Sequence, residues 1–280
     1  MVATPTATTQ THYTNEELYY LGTLLQVNDM LGITDPYPGF LADEITEHMA
    51  AIKEVLLQRG DLVTDGNGEV RLGAALSALV DAVAASSESL MISTSTYPTP
   101  DATWFIHRIP SGGVVQAGQP DGRIDLQMVP EADTARRVQD ALGPVVWPAA
   151  PGPAFLMAES ALTEARTQAE AHKQATCRTF LSTQKIPPEA VGALIEALGP
   201  GRRAGSVITL LRTPRTMRYG PSVMWLGGPH GAWRLQPVER DGHPSSLRFF
   251  PTSTPDLREQ LRRLALRQSV TTRSEVSNAL

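Results

Sequence analysis

The histidines are the residues of this chain with the widest range of possible chemistry. A zinc site or a metalloprotease centre needs histidines at fixed short spacings, such as two of them one helical turn apart. The six histidines do not stand at such spacings, and they are His12, His48, His107, His172, His230 and His243. The sequence therefore predicts no metal site, no cofactor site and no catalytic residue.

The single cysteine and the glycine-containing turns also argue against a catalytic or nucleotide-binding site. Cys177 cannot form an intrachain disulfide. Cys177 stands five residues from His172, and two residues at that spacing on a helix do not face each other well. We therefore expect Cys177 to be a small, partly buried side chain and not a catalytic thiol. The turns at 199–201 and 227–229 carry proline, whereas a phosphate-binding loop needs free backbone N–H groups. A nucleotide site is not expected.

Aromatic residues at strand positions are the features best suited to binding another protein. Neighbouring residues on a strand point to opposite faces, so Trp104 and Phe105 cannot both face one core. Half-exposed aromatics are typical of protein interfaces, although packing in a core is their commoner role. The candidate partner-binding residues are Trp104, Phe105, Trp225, Trp233 and His230.

The composition limits the class of protein. The chain has 280 residues, a hydrophobic fraction of 41% and a net charge of −5. Such an acidic chain lacks the concentrated basic surface that nucleic-acid binding usually needs. No apolar run is long enough for a membrane span, and the first residues have neither the basic nor the apolar region of a signal peptide. We expect a cytoplasmic protein that binds neither nucleic acid nor membrane.

The same order of elements, four strands and then a helix, is predicted twice. In the first copy the strands are predicted at 89–93, 104–108, 113–117 and 124–130, and the helix at 132–142. In the second copy the strands are predicted at 206–211, 222–226, 231–235 and 246–251, and the helix at 255–266. The expected fold is α+β, with two pseudo-two-fold related halves, each an antiparallel four-stranded meander with packed helices.

Changes in composition predict the domain boundaries. A stretch rich in proline and glycine cannot hold a helix and suits a linker or a surface crossover. The predicted segments are a disordered tail at 1–13, the N-terminal half at 14–142, the linker at 143–153, the C-terminal half at 154–268 and a second disordered tail at 269–280. The C-terminal half is predicted to begin with a long helix over about 154–180.

A winged-helix regulator is one alternative, because a helix at 41–59 is followed by a short hairpin that ends near residue 72. A DNA-reading helix places lysine or arginine along its exposed face. The charged residues here are Asp43, Glu44, Glu47 and Glu54 against Lys53 and Arg59. This excess of acids argues against contact with phosphate.

The layout resembles the EspG family of type VII secretion. The likeness lies in the helix end and short strands at 57–72, in the first-meander residues 90–92 and 104–105, and in the closing stretch 231–261. Members of that family are cytoplasmic chaperones that hold PE–PPE substrate pairs before export. The resemblance implies a non-enzymatic protein whose sheet and loops bind the apolar end of a helical secretion substrate. The loops Pro110–Arg123 and Gly227–Ala232 are the candidate parts of that surface.

A second alternative is a small-molecule-binding or hydrolytic enzyme with a site between the two halves. It predicts that His107, Arg108, His230 and Arg234 meet in one pocket. The strand pattern instead predicts that His107 points away from the core. The chaperone hypothesis predicts an exposed apolar sheet or groove surface and no deep polar pocket.

Overall fold

The computed structural model describes residues 10–27, 30–96, 98–110, 112–213, 216–240 and 243–268. The contacts among them divide the chain into two units. Unit 1 comprises the described residues up to Met91, together with Thr103–Thr134 and Leu210–Arg218. Unit 2 comprises Ile92–Ala102, Ala135–Thr209 and the described residues from Tyr219 onward.

Eight helices and twelve strands form over the described residues. The helices are α1 (Asn15–Leu24), α2 (Ala42–Arg59), α3 (Ala74–Ala85), α4 (Glu131–Asp140), α5 (Glu159–Glu170), α6 (Gln174–Thr183), α7 (Pro188–Leu198) and α8 (Thr254–Ala265). The strands are β1 (Gln10–Thr14), β2 (Leu62–Thr64), β3 (Val70–Leu72), β4 (Glu88–Thr96), β5 (Thr99–Ile109), β6 (Gly112–Gly118), β7 (Arg123–Pro130), β8 (Phe155–Ala158), β9 (Arg203–Arg212), β10 (Met217–Gly228), β11 (Gly231–Arg240) and β12 (His243–Thr252). Within this part of the chain, no helix is both long enough and apolar enough to cross a membrane.

Local sequence signals explain where several helices begin and end. The Thr14 hydroxyl accepts a hydrogen bond from the Glu17 backbone N–H at 3.1 Å, and the Glu17 carboxylate accepts one from the Thr14 N–H at 2.8 Å. This capping box satisfies two amide groups at the start of α1. Helix α2 ends at Gly60, whose φ of 79° is left-handed and unstrained only for glycine. At the start of α8, the Ser253 hydroxyl accepts a hydrogen bond from the Asp256 backbone N–H at 3.3 Å.

The large antiparallel sheet has ten strands, of which five follow the order β1-β7-β6-β5-β4. In unit 1, the helix α3 packs on β6 and β7, while α2 packs on α1 and β2. The core of this unit joins Tyr13 of β1, Leu18 of α1, Val80 of α3 and Leu126 of β7, all of which are buried. On α2, by contrast, only Leu56 is buried. Most of α2 therefore lies at the surface of the unit.

The other five strands of the sheet follow the order β9-β10-β11-β12-β8. In unit 2, the helices α5, α6 and α7 pack against one another, and α5 and α7 contact the strands. The rings of Phe155 and Phe249 stack in this core with their centroids 4.8 Å apart. Gly228 lets α7 approach β10 closely, because a Cβ at that position would lie 2.7 Å from the Cα of Ala197. The result is a sheet with one face sealed by three helices.

Two predicted segments differ in the structure. Residues 10–13 were expected in a disordered tail, but they belong to β1 because their backbone pairs with β7; residues 1–9 and the tail at 269–280 lie outside the described residues. The long helix predicted over 154–180 is instead β8, α5 and α6. His172 adopts a φ of 58°, which interrupts the helical hydrogen bonds between α5 and α6.

The stretch at 143–153, predicted to be a linker, packs within unit 2. Trp147 is 4% exposed, and its backbone N–H donates to the Thr254 hydroxyl at 2.7 Å. The Ala150 N–H donates to the carbonyl of Ala232 at 3.2 Å. Because these buried backbone groups find partners in unit 2, the stretch behaves as part of that unit and not as a free connection.

Candidate protein-binding surface

The two faces of the unit 2 sheet differ in what covers them. Trp233 of β11 and Phe249 of β12 face the helices α5–α7, and both are 0% exposed. Their chain neighbours Arg234 and Phe250 point to the opposite face, because side chains alternate along a strand. Both of these neighbours are half-buried. Part of the face away from the three helices is therefore exposed.

We call a continuous part of this second face the open sheet face. Its residues are Leu156, Arg234, Gln236, Val238, Arg248 and Phe250. The register places Arg234 opposite Phe250, and it places Arg248 between Gln236 on one side and Leu156 on the other. Directly opposed side chains have Cβ atoms about 5 Å apart, so the six form one patch. Leu156 is 46% exposed.

The open sheet face combines apolar groups with positive charge. The Arg234 guanidinium lies 4.4 Å from the centroid of the Phe250 ring, which is a cation–π contact. Burial lowers the pKa of Arg234 from its usual value, but an arginine remains a cation at neutral pH. Arg248 is exposed and adds a second positive charge. Such a patch suits an apolar partner surface that carries negative charge.

Near β10, the face of the sheet that contains the open sheet face is covered by other residues of unit 2. Trp225 is 2% exposed. A Cβ at Gly227 would lie 2.6 Å from the indole of Trp147, so that ring covers the strand there. Trp225 and Trp233 were both candidate partner-binding residues, and this burial corrects their assignment. They pack the interior of unit 2, which is the commoner role of aromatic residues on strands.

His230 lies in the turn between β10 and β11. Its Nε2 is 2.9 Å from a carboxylate oxygen of Glu196 on α7, and both side chains are well exposed, at 65% and 41%. A polar contact between two exposed side chains of this kind stabilises the fold little. Within the predicted loop Gly227–Ala232, only Pro229 and His230 are exposed. His230 therefore stays a predicted partner contact, separate from the open sheet face.

Phe105 and His107 lie side by side on β5, with ring centroids 6.1 Å apart. His107 is 0% exposed, and its ring nitrogens hydrogen-bond with the Ser89 hydroxyl at 3.1 Å and the Gln116 side chain at 2.9 Å. The prediction that His107 points away from the core is therefore wrong, because these strand neighbours satisfy its polar ring inside unit 1. Burial lowers the pKa of His107 to about 4.

Trp104 and Phe105 point to opposite faces of β5, and both are half-buried. They stay predicted partner contacts. The predicted loop Pro110–Arg123 is mostly strand, because residues 112–118 of it form β6. The turn between β6 and β7 lies at residues 119–122, where the Gly122 N–H donates to the carbonyl of Gln119 at 3.0 Å.

The groups named for the enzyme alternative have partners within their own units. Arg108 pairs with Glu88 at 2.8 Å, while His107, His230 and Arg234 engage the groups described above. Cys177 is 0% exposed, and burial raises the pKa of its thiol, which disfavours the reactive thiolate. Across the described ranges, no group of three or more His, Cys, Asp or Glu could hold a metal ion.

The hairpin that the winged-helix alternative predicts is present, but the helix before it lacks the positive charge that DNA binding needs. Strands β2 and β3 pair directly after α2, with Leu62 opposite Leu72. The acids Asp43, Glu44 and Glu47 are exposed on α2. An exposed acidic face repels the phosphate backbone, so this segment is unsuited to reading DNA.

Several residues of the open sheet face could not be singled out from the sequence. Leu156 lies in the run Phe155–Met157, which is apolar throughout and so gives no alternation to tell an inner residue from an outer one. The segment was also predicted to be helical. Only the pairing of β8 with β12 assigns Leu156 to the outer face.

Comparisons with known proteins agree with this architecture. A family model described as the EspG family matches residues 14–263. A solved structure of 17% sequence identity has a TM-score of 0.61, and the match covers 91% of this chain and 95% of that chain. That structure is the Mycobacterium tuberculosis type VII secretion system chaperone EspG5 in complex with a PE25–PPE41 dimer. At this identity the likeness shows a shared fold. No curated protein sequence matches the chain.

Proposed function

This chain belongs to the EspG family, and from that premise we propose that it is a cytoplasmic, non-catalytic chaperone for a helical protein substrate of type VII secretion. The family match over residues 14–263 carries the proposal. The fold shared with EspG5 over 91% of this chain supports it. Because the EspG5 structure holds a PE25–PPE41 dimer, the expected partner of this chain is a protein pair of the PE–PPE type.

The substrate is proposed to dock on the open sheet face. Leu156, Val238 and Phe250 supply apolar area at that face. The C-terminal end of a helix carries a partial negative charge, which Arg234 and Arg248 can stabilise. An apolar helix end that presents its C-terminus or acidic side chains therefore fits the patch in its apolar character and its charge.

Two side chains that could have served an enzyme, His107 and Cys177, are each 0% exposed. Neither reaches a surface where a substrate atom could meet it, so the proposal assigns them no catalytic step.

The pseudo-two-fold repeat is part of the proposal. Strands β4–β7 precede α4, and strands β9–β12 precede α8. The third strand of each meander begins with a glycine in an unusual conformation, with a φ of 150° at Gly112 and 141° at Gly231. Both are conformations that favour glycine. Superposing residues 88–140 on 203–265 tests the repeat, which fails if the strands of one copy cannot be overlaid in order on those of the other.

The test of function is co-expression with PE–PPE pairs encoded in the same genome, followed by purification and titration calorimetry. We expect a stable complex with at least one pair. Leu156→Glu places a charge on the open sheet face and should weaken binding at least about tenfold.

Val63→Glu is the matched control, because Val63 is also 46% exposed but lies on β2 in unit 1. It should bind as the unmodified chain does. If no pair binds the unmodified chain, the proposed function is wrong. If a pair binds and Leu156→Glu leaves the affinity unchanged, the function stands and the proposed location is wrong.

A further inference from the structure

Arg59 and Arg234 both stack on aromatic rings, but they differ in their other partners. The Arg59 guanidinium lies 4.8 Å from the centroid of the Tyr13 ring, and it also pairs with the Glu17 carboxylate at 3.1 Å. The Arg234 guanidinium lies 4.4 Å from the centroid of the Phe250 ring. Among the residues that the structure describes, no carboxylate or other hydrogen-bonding group pairs with it. Arg234 is therefore a cation that is held against a ring without a counter-ion.

Other arginines that are removed from water in this chain have a carboxylate partner. The mostly buried side chain of Arg108 pairs with Glu88, and that of Arg202 pairs with Glu170. Such pairing is expected, because a desolvated charge without a partner is unfavourable. Arg234 departs from this rule, and residues that depart from such rules tend to lie at functional sites.

The Arg234 guanidinium is half-buried, but a partner can still reach it. None of its nitrogens is sealed from solvent by the residues that the structure describes. Trp225 on β10 and Phe250 on β12 lie directly opposite Arg234 on its two sides. Because the Phe250 ring covers a face of the guanidinium, the N–H groups at its edge remain available to donate.

The rest of the open sheet face offers Arg234 no negative charge. Its other members are three apolar side chains, Gln236 and a second arginine, Arg248. An ion pair formed by Arg234 in these half-desolvated surroundings would be stronger than one in water. Arg248 is exposed, so an ion pair there would be screened. This difference distinguishes Arg234 from the other positive charge of the patch.

We propose that Arg234 is the specificity-determining residue of the open sheet face, where it binds the carboxylate of an aspartate or glutamate of the substrate. The planar guanidinium can donate two parallel N–H bonds to the two carboxylate oxygens while it stays stacked on Phe250. A side-chain amide fits less well, because it has one acceptor oxygen and no charge. The inference rests on the proposed function and narrows it to substrates with an acidic residue beside their apolar contact.

Titration calorimetry of the full chain with the PE–PPE-type pair that co-purifies with it tests this contact. Arg234→Met keeps an apolar stem but removes the charge, so it should weaken binding at least about tenfold. Arg234→Lys keeps the charge but not the planar fork, and it should recover only part of the affinity. Arg248→Met makes the same change on the exposed arginine and should weaken binding less than about fivefold. Arg71→Met, on β3 in unit 1, is the control that should bind as the unmodified chain does.

Double-mutant cycles identify the carboxylate. Each exposed aspartate or glutamate near the helix ends of the bound pair is replaced by asparagine or glutamine. One of these changes should weaken binding to the unmodified chain about tenfold and should have little further effect on Arg234→Met. Losses that add to that of Arg234→Met for every such acid would overturn the proposal.

Thermal unfolding separates a binding role of Arg234 from a structural one. Arg59→Met breaks an ion pair within unit 1 and should lower the Tm. Arg234→Met breaks no ion pair and removes a partly desolvated charge, so the Tm should stay the same or rise. If Arg234→Met lowered the Tm as much as Arg59→Met, Arg234 would hold the fold together and the assignment would be wrong.

A measurement without the pair keeps this inference distinct from the proposed function. The probe is a stapled, C-terminally amidated helical peptide with two leucines and a glutamate one turn away, and the matched peptide has glutamine instead. Binding to the full chain is followed through the Nε–H NMR signal of Arg234, which Arg234→Met identifies. We expect a saturable shift with the glutamate peptide and at least about fivefold weaker binding of the glutamine peptide.

The outcomes separate the two claims. If no pair binds but the glutamate peptide binds Arg234, the proposed function is wrong and the carboxylate preference stands. If a pair binds and Arg234→Met keeps its affinity, the function stands and the inference is wrong. Equal affinity of the two peptides also overturns the inference, and so does the absence of any shift when no pair binds.

Discussion

Phe249 and Phe250 are identical neighbours on β12, yet they have opposite surroundings. Phe249 is 0% exposed, stacks on Phe155 and meets Trp233 edge-on with centroids 6.5 Å apart. Phe250 is half-buried beneath Arg234 on the open sheet face. On β12, one face therefore packs the core of unit 2, and the other face is partly exposed, which is where we propose that a partner binds.

The sharpest test of this comparison is the pair of alanine variants. Phe249→Ala should lower the free energy of unfolding by about 3–5 kcal/mol, because it leaves a cavity among the rings and the helices α5–α7. Phe250→Ala should lower it by less than about 1 kcal/mol, because the site can refill with water. Urea denaturation of both variants measures the two values. Equal losses would mean that the two faces are not distinct.

The inner face of unit 1 contains a fully buried histidine, His107. The pKa of His107 is lowered from 6.5 to about 4, so the unfolded chain binds a proton in this range and the folded chain does not. The stability is complete above about pH 6.5 and falls as the pH drops toward 4, by up to about 3 kcal/mol.

Urea denaturation between pH 7 and pH 4.5 measures this loss. His107→Gln should lose much less stability over the same range, because glutamine cannot take up a proton. The exposed His230→Gln is the control and should follow the unmodified chain. Parallel curves for all three proteins would contradict the role given to His107.

On the open sheet face, the expected effects are on binding. Phe250→Ala should weaken the complex with the proposed PE–PPE-type partner about tenfold, because buried aromatic residues contribute much of the energy of a protein interface. Titration calorimetry measures the affinity. Val55→Ala removes a residue that is 48% exposed on α2 in unit 1, and it should leave the affinity unchanged. Similar losses in both variants would contradict the location.

The smallest effect is expected at Arg248, which is fully at the surface of the patch. Arg248→Gln should weaken binding by less than about 1 kcal/mol, because the charge of an exposed side chain is screened by water and salt. Most of the change should appear in the association rate and should shrink as salt is added. Surface plasmon resonance at low and high salt separates these contributions. A large, salt-independent change in the dissociation rate would instead mean that Arg248 is buried in the complex.

The sequence predicts much of the second meander but not its outer face. The strand predicted at 231–235 lies within β11, because turn residues and apolar runs bound it. The faces of β12 could not be told apart, because Phe249 and Phe250 are the same residue. The end of α5 was missed for a related reason, since it depends on a left-handed His172 with no proline or glycine to announce it.

Long-range contacts account for the other missed features. His107 is buried because Ser89 and Gln116, from two other strands, satisfy its ring nitrogens. The strand β1 exists because Tyr13 comes to lie opposite Ile124, more than a hundred residues away along the chain. Neither pairing leaves a local pattern in the sequence, so only the assembled structure shows it.

Site-specific photo-cross-linking in cells that carry a type VII secretion system tests where the substrate binds. A benzophenone amino acid replaces Leu156 on the open sheet face or, as the control, Val63 on β2, and cross-linked proteins are identified by mass spectrometry. We expect position 156 to cross-link to a PE–PPE-type protein and position 63 not to do so. A complex that forms without any cross-link from position 156, or that cross-links equally from position 63, would contradict the assignment of the substrate to this face.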